Sequence, residues 1–322
     1  MLGRLELGAS FLVVTMEKLN SLVHPFFLSP FSIPPHLGGV KLSAAEIRIA
    51  VKNALAEDLG SGDATTLATV PKNLSAVALM RAREPLTVAG IQFAETAFQI
   101  LSPKIKIKKL LRDGTRAKAG QTLLKISGPA HALLSAERVA LNFIQRLSGV
   151  ASATAQFVAA VHGTQTRILD TRKTTPGWRR FEKYAVACGG GKNHRIGLYD
   201  MVLIKDNHLV ALRREKPNAI SAAVTRARRK FPQLKVEVEA DTLEQVAQAA
   251  DAGADIILLD NMDLKQLRAA VKIVKGRALT EASGGVNLQT VGGIARTGVD
   301  YISVGAVTHS ARAVDIGLDF VE

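Results

Sequence analysis

Cysteine is almost missing from this chain: Cys188 is the single one among 322 residues. One thiol excludes an internal disulfide framework and fits a reducing compartment, which places the expected location in the cytoplasm. No base is paired with Cys188 in the sequence, so it reads as a small apolar residue ending a helix and not as a reactive thiol. Aromatic residues make up only 5%. None of them is interleaved with basic residues as a stacking platform for single-stranded nucleic acid would require. Long apolar runs are lacking as well. Phe11–Val14 is short and bounded by Glu6 and Glu17, whereas a transmembrane helix needs ~20 apolar residues, and the signal-peptide pattern is poorly met. No membrane association is expected.

Acidic residues are scarce relative to basic ones, 28 against 42, giving a net charge of +14. Such a balance points to nucleic acid, a membrane surface or anionic small substrates. The basic residues lie partly on helix faces, such as Arg226, Arg228, Arg229 and Lys230, and partly in glycine-rich loops. Anionic metabolites are the better partner, and no nucleic acid is expected; a basic RNA-binding protein is the distant alternative. The 47% hydrophobic content is that of a soluble globular protein. Residues 1–41 stand apart. Pro25, Pro30, Pro34 and Pro35 disfavour a helix there, so this segment is expected to be a poorly structured extension without a function of its own, and Met16 is a candidate start.

From Leu42 the periodicity becomes readable. Ser43-Ala44-Ala45-Glu46 is a capping box opening a helix with Ile47, Val51, Ala54 and Leu55 on one face. Residues 74–126 read mostly as strands, at Ser75–Met80, Leu86–Ala89, Ile105–Leu110 and Gln121–Ile126, with one helix near Phe93–Ile100. A long helical stretch runs from Pro129 to about Val161, with an interruption expected near Gly149. From Thr166 the pattern becomes strand, loop, helix, repeated. Strands read at Thr166–Leu169, Met201–Ile204, Lys235–Glu239, Asp255–Leu259, Arg277–Thr280 and Asp300–Val304, with helices such as Ala219–Lys230 and Thr242–Asp251 between them. Alternation of this kind predicts a parallel sheet with right-handed crossovers. Each polar motif falls at or just after a strand end, where α/β folds place their sites.

The densest of these motifs is the run Leu169–His208. It gathers Arg172, Lys173, His194, Arg195 and Lys205 among Asp, Asn and a glycine triplet. A solvated basic loop would not need that setting. Glycines let a backbone approach a ligand closely, and arginine forks match carboxylate and phosphate geometry. In the strand Lys235–Glu239, alternation puts Lys235, Glu237 and Glu239 on one face and Val236 and Val238 on the other. With helices outside, the charged face must point inward. Glu239 is therefore a site candidate, and Glu237 is expected to partner an interior lysine. Ser283-Gly284-Gly285 and Val304-Gly305-Ala306 follow the last two strands, with a helix expected near Asn287. Together they suit a phosphate, which binds backbone N–H groups at glycine turns and helix N-termini. His309 and Ser310 follow, with either a pocket role or a capping role.

DTRKTTPGWRRFEKYAVACGGGKNHR followed by LYDMVLIKDNHL resembles the quinolinate phosphoribosyltransferase family. The resemblance continues in order through Val236–Glu239, Leu258–Met262, Glu281–Gly285 and Val304–Ala306, and so covers Leu42 to the C-terminus. It implies an α/β fold: an N-terminal α/β sandwich at 42–142, expected to be completed by 309–322, then an open, incomplete six-strand α/β barrel at 143–308 carrying the active site. It implies transfer of phosphoribosyl from 5-phosphoribosyl-1-pyrophosphate to quinolinate with decarboxylation. The products are nicotinate mononucleotide, pyrophosphate and CO2, in de novo NAD biosynthesis. The alternative within the same fold is a paralogue with a different acceptor, of the molybdenum-transport-associated type; the set Arg172, His194, Arg195 and Lys205 favours a dicarboxylate.

By position in the motifs, the resemblance gives the quinolinate site as Arg172, His194, Arg195 and Lys205, with Lys173 between the acid and the diphosphate. Thr171, Ser283, Gly284, Gly285, Gly305 and Ala306 complete the substrate site. Glu239 and Asp260 match the carboxylates that serve the ribose and Mg2+, the latter directly or through water, and Lys173, Glu239 and Asp260 are the catalytic candidates. Arg138 matches an arginine that enters the neighbouring subunit's pocket, which implies a homodimer. Val139 stands where the family commonly has Thr or Ala. Holding a pyridine dicarboxylate, a 5-phosphate and a pyrophosphate together is strongly repulsive without such cations, and a carboxylate near the ribose stabilises the charge that develops as the leaving group departs.

Overall fold

The computed structural model describes residues 39–321, so the expectations for residues 1–38 lie outside the described residues. The capping box at Ser43 forms as expected. The Ser43 hydroxyl accepts from the Glu46 N–H and the Glu46 carboxylate accepts from the Ser43 N–H at 2.9 Å, starting α1 (Ala44–Leu59) with Ile47, Val51 and Leu55 turned inward. After α2 (Ala64–Thr69) come β1 (Ser75–Ala82), β2 (Leu86–Thr87), α3 (Ile91–Leu101), β3 (Lys106–Lys109), β4 (Arg116–Ala117) and β5 (Thr122–Pro129).

Strand β1 shows period-two burial, with Ala78, Met80 and Ala82 inward. It pairs antiparallel with β5 on one side and, on the other, with β12 (Ile316–Val321) from the far end of the chain, in the register Val77↔Val321 to Ala82↔Ile316. With β3 outside β5, these strands form a four-stranded sheet. Helix α4 (Ala130–Ala160) covers it together with α1 and α3. The interruption expected at Gly149 does not occur, and α4 runs unbroken across the 142/143 boundary for 31 residues. A Cβ at Gly149 would sit 2.0 Å from the Arg312 carbonyl oxygen, so this glycine permits a close crossing of two segments and breaks no helix. Leu133, Ile144 and Leu147 on α4 are fully buried; truncating such a leucine typically costs about 2–5 kcal/mol.

The second half alternates as the sequence predicts. Strands β6 (Arg167–Leu169), β7 (Val202–Ile204), β8 (Val236–Ala240), β9 (Ile256–Asp260), β10 (Leu279–Ser283) and β11 (Tyr301–Ser303) are joined through α5 (Arg179–Cys188), α6 (Asp206–Ala211), α7 (Ala219–Lys230), α8 (Leu243–Asp251), α9 (Leu264–Val274) and α10 (Val291–Ala295). Helix α11 (Ala306–His309) follows β11. The strands form one parallel sheet in the order β6-β11-β10-β9-β8-β7, so the barrel has six strands and is not closed. The segment after α5 takes part of the free edge of β6. Lys192 N–H donates to the Ile168 carbonyl at 2.8 Å, and Asp170 N–H donates to the Lys192 carbonyl at 3.1 Å. The larger departures from the expected boundaries in this half fall at β10 and α10. Strand β10 extends to Ser283 and not merely to Thr280, and α10 begins at Val291, Asn287 instead capping the turn before it by accepting from the Thr290 N–H.

A stack of aromatic rings ties the halves together, Phe93 on Phe143 and Phe143 on Trp178 with centroids 4.9 and 5.1 Å apart. Asp113 adds a polar tie. It accepts from the Gly90 and Ile91 N–H groups at the start of α3 and from the Tyr184 hydroxyl on α5. The described residues form one compact unit.

Candidate active site

Strand ends carry the site. Arg172 and Lys173 follow β6, Lys205 follows β7, Glu239 lies near the end of β8, Asp260 ends β9, Ser283 ends β10, and Gly305 and Ala306 follow β11. Because all six strands are parallel, these residues share the carboxyl-end rim of the sheet. His194 and Arg195 join them from the segment beside β6.

That segment is held from behind by a buried network. The Asp170 carboxylate accepts from the His194 N–H at 2.8 Å, from Asn193 Nδ2 at 2.7 Å and from the Lys183 ammonium. Lys183 Nζ also donates to the His194 carbonyl at 3.0 Å, and Asn193 Nδ2 to the Lys183 carbonyl at 2.8 Å. Asn193 Oδ1 accepts from Val40 N–H at 2.9 Å, tying in the first described residues. The side chains of Asp170 and Lys183 are both 0% exposed. Burial pushes the Asp170 carboxyl up and the Lys183 ammonium down, each toward its neutral form, and the opposite charge beside each opposes that. The glycine triplet belongs to this packing. A Cβ on Gly189 would meet the Ala151 carbonyl at 2.4 Å, and one on Gly191 would meet the Thr154 side chain at 2.7 Å. The triplet lets the loop lie against α4, which is a structural reason for glycine distinct from the ligand approach expected from the sequence.

A second network fixes the loop after Arg172. The fully buried Glu182 carboxylate accepts from the Thr175 N–H at 3.0 Å and hydroxyl at 2.8 Å, and from Arg146 at 2.6 Å. Arg146 also donates to the Thr308 carbonyl at 2.8 Å, and the Thr308 hydroxyl donates to the Lys173 carbonyl at 2.6 Å. The loops after β6 and β11 are thereby locked together. A Cβ on Gly305 would meet Lys173 Cδ at 3.1 Å and the His309 ring at 3.2 Å, so Lys173, Gly305 and His309 converge at the β11 end. His309 Nδ1 also meets the Ser310 hydroxyl at 2.6 Å.

Inside the barrel, Glu237 and Glu239 share the inward face of β8, as alternation predicts. The partner of Glu237 is not a lysine. His194 Nε2 lies 2.8 Å from Glu237 Oε2 and 3.6 Å from Glu281 Oε2. Burial alone would push the imidazole down, but the charge of Glu281 and the hydrogen bond and charge of Glu237 outweigh it and raise it to about 9. Burial and the neighbouring Glu237 carboxylate push Glu281 up to about 8. At neutral pH these two shifts favour the protonated imidazole of His194 and the protonated carboxyl of Glu281. Lys205 Nζ is instead paired with Glu239 Oε2 at 2.6 Å.

On the open side, Arg172 and Arg195 lie close enough for the charge of one to bear on the other. Burial, and then Arg172, lower the Arg195 guanidinium. Two such cations held side by side suit an anionic ligand. Asp260 accepts from Asn261 Nδ2 at 2.7 Å. Gly284, at φ +96°, lies so close to Asn261 that a Cβ would fall 2.1 Å from its Oδ1; the Ser283–Gly285 turn therefore packs against the Asp260 turn only because a glycine is there. Arg138 is exposed on α4, and no hydrogen bond or ion pair joins it to the basic cluster of its own chain among the described residues. Thr171 accepts from the Lys173 N–H at 3.0 Å, shaping the turn beneath the pair Arg172–Lys173. Burial and the Asp113 carboxylate push the Cys188 thiol up to about 12, in keeping with an unreactive residue.

Sequence reasoning missed Asp170, Lys183, Asn193, Glu182, Arg146 and Glu281. Only Glu281 had a usable signal: with β10 drawn through Ser283, the alternation argument used for Glu239 would have turned Glu281 inward too.

Residues 63–148 match the family model "Quinolinate phosphoribosyl transferase, N-terminal domain" and residues 150–319 its C-terminal counterpart. The chain is 43% identical over 280 residues to the nicotinate-nucleotide pyrophosphorylase [carboxylating] of Mycobacterium leprae, covering 84% of this chain and 96% of that one. It is 42% identical over 289 residues to the chloroplastic enzyme of the same name from Arabidopsis thaliana, covering 85% and 82%. The solved nicotinate-nucleotide pyrophosphorylase of Francisella tularensis superposes with a TM-score of 0.83 at 38% identity, covering 88% of this chain and all of that one.

Proposed function

The chain belongs to the quinolinate phosphoribosyltransferase family, and from that premise we infer how it works. It transfers phosphoribosyl from 5-phosphoribosyl-1-pyrophosphate to quinolinate with decarboxylation, yielding nicotinate mononucleotide, pyrophosphate and CO2 for NAD biosynthesis. The observation that carries this reading is one rim on which a basic group (Arg172, His194, Arg195, Lys205) faces two carboxylates (Glu239, Asp260) across a single ion pair, Lys205–Glu239.

Arg172, Arg195, His194 and Lys205 hold the two carboxylates of quinolinate and orient its ring nitrogen toward the sugar. Lys173, Ser283, Gly284, Gly285, Gly305 and Ala306 hold the phosphates, where Lys173 converges on Gly305. Glu239 and Asp260 stabilise the positive charge that develops on the ribose as pyrophosphate leaves. Their hard oxygen donors, on adjacent paired strands (Glu239↔Leu258), suit Mg2+, which favours one or two carboxylates together with substrate phosphates. When bound there, Mg2+ supplies charge neutralisation for the pyrophosphate.

Incubation with quinolinate, the diphosphate sugar and Mg2+ should release CO2 and pyrophosphate together. If CO2 is not released while another pyridine acid is turned over, the acceptor assignment fails. A homodimer with Arg138 reaching the neighbouring pocket is the proposed assembly, and Arg138 is exposed on α4 where a partner could receive it. At limiting quinolinate, where Arg138→Ala and Lys205→Ala should each be strongly impaired alone, mixing them should restore partial activity through hybrid dimers with one intact site. No recovery despite demonstrated subunit exchange would remove Arg138 from the partner's site. Among the described residues no helix is long and apolar enough to cross a membrane; the cytoplasm is the proposed compartment, checked by cell fractionation.

A further inference from the structure

Decarboxylation leaves a carbanion at pyridine C2, and that carbon must receive a proton. We propose that His194, held by Glu237 and Glu281, is the acid that delivers it. The inference rests on the reading of the reaction above, and it concerns a step that binding alone does not explain.

Three observations support it. His194 Nε2 is committed to Glu237 Oε2 at 2.8 Å, with Glu281 Oε2 at 3.6 Å behind it. Both glutamates are buried in the barrel, so the imidazole is backed by carboxyl groups that water does not screen. Nδ1, by contrast, has no hydrogen-bond partner among the described residues and is not fully enclosed, so it is the nitrogen left to face a ligand. The backbone on either side of the ring cannot drift, because the His194 N–H is held by Asp170 and its carbonyl by Lys183. The charged groups around the ring are Glu237 on β8, Glu281 on β10 and Lys183 on α5, the last opposing its charge; the two carboxyl groups prevail.

A protonated ring placed this way first donates Nδ1–H to the carboxylate at C2. When the bond from C2 to that carboxylate breaks, its electron pair stays on C2 beside the ring nitrogen made cationic by ribosylation, and CO2 departs. The donor that held the carboxylate is then left facing the carbon it vacated. The Nδ1 proton moves to C2, and His194 becomes a neutral imidazole still donating Nε2–H to Glu237. Solvent restores the Nδ1 proton after the product leaves. Charge and atoms balance without any further reagent. Positioned acids of this kind contribute roughly 10²–10⁴-fold.

The test measures pyrophosphate and CO2 separately, in the full chain with quinolinate, the diphosphate sugar and Mg2+. The wild-type protein should form them in equal amounts; if it forms neither, the reaction itself has been misread. In His194→Gln, whose amide still donates a hydrogen bond, pyrophosphate should exceed CO2, the phosphoribosylated dicarboxylate should appear as a product, and CO2 release at saturation should fall at least ~10²-fold. A His194→Gln protein that forms both products equally, with only a raised KM for quinolinate, or that forms neither, overturns the proposal. Glu237→Gln provides a second reading that does not depend on the first variant folding. Without the carboxylate, the alkaline limb of kcat should move to lower pH than in the wild type, toward the ordinary range of an imidazole. An unmoved limb also overturns the proposal.

Discussion

The two sides of the rim are built differently. On the side of β6, His194 and Arg195, proposed to meet the acid, stand on a segment fastened by a buried lysine, a buried aspartate and a buried asparagine. On the side of β10, the turn Ser283–Gly285, exposed at Gly284 and Gly285, is held by a glycine fitted against Asn261 and by backbone hydrogen bonds. A planar dicarboxylate must be told apart from other pyridines, and that discrimination needs fixed donors. Phosphates are recognised by many backbone N–H groups at once and tolerate a softer frame. The difference predicts where damage to the frame and damage to the chemistry can be separated.

The largest effect should come from the frame. Lys183→Met leaves Asp170 as an uncompensated buried charge, an arrangement that costs about 3–5 kcal/mol. The urea midpoint should fall accordingly, and whatever protein remains folded should bind quinolinate weakly, because the His194 carbonyl has lost its donor. Unchanged stability would mean that the pair does not fasten the segment. The comparison would then lose its basis.

Next in size are the carboxylates, where chemistry should fail while the frame stands. Glu239→Gln and Asp260→Asn preserve shape, and losing one stabilising charge is expected to cost about 2–4 kcal/mol in the transition state, two to three orders of magnitude in turnover. Quinolinate affinity measured by calorimetry should change little. Full turnover with weakened affinity would move these residues to the acid-binding side.

How these groups divided in the sequence is itself informative. The strand-end residues were legible because alternation and βα order locate them without tertiary knowledge: a polar residue at the carboxyl end of a parallel strand has few structural reasons to be there. The frame was not legible. Lys183 sits in Arg179-Arg180-Phe181-Glu182-Lys183, which looks like a solvated helix face, yet both Glu182 and Lys183 are fully buried. Their partners lie 36 and 13 residues away, on α4 and after β6. Spacing within one element carries no trace of such pairings. Gly149 misled for the same reason: a glycine inside a helical pattern signals either a break or a close crossing, and only the position of Arg312 decides between them.

A smaller effect is expected from Arg172, proposed to meet the acid and free of side-chain hydrogen bonds to the frame among the described residues. Its Nε is buried without a partner among the described residues, so Arg172→Ala should leave the fold intact. Quinolinate affinity should fall by the worth of a charge-assisted contact, roughly 1.5–3 kcal/mol. A folded Arg172→Ala protein that binds quinolinate as tightly as the wild type would sink the acid-site assignment.

The smallest expected effect on stability sits where the two sides meet. Lys205 and Glu239 are paired at 2.6 Å, but the lysine side chain is 46% exposed. Water and salt screen such a pair, and exposed pairs contribute about 0.2–1 kcal/mol. A double-mutant cycle on urea stability with Lys205→Ala, Glu239→Gln and both together should therefore give a small coupling that shrinks as salt is added. The same variants assayed for activity should behave quite differently: Lys205→Ala raises the quinolinate requirement, while Glu239→Gln lowers turnover. In that case the pair is a resting contact that the substrates take apart, quinolinate claiming the lysine and the sugar claiming the carboxylate. A coupling as large as that of the buried Asp170–Lys183 pair would contradict this, since a contact that strong would hold the two residues away from their ligands. Lys205 and Glu239 would then belong to the frame, and the division between the two sides would have to be redrawn at β8.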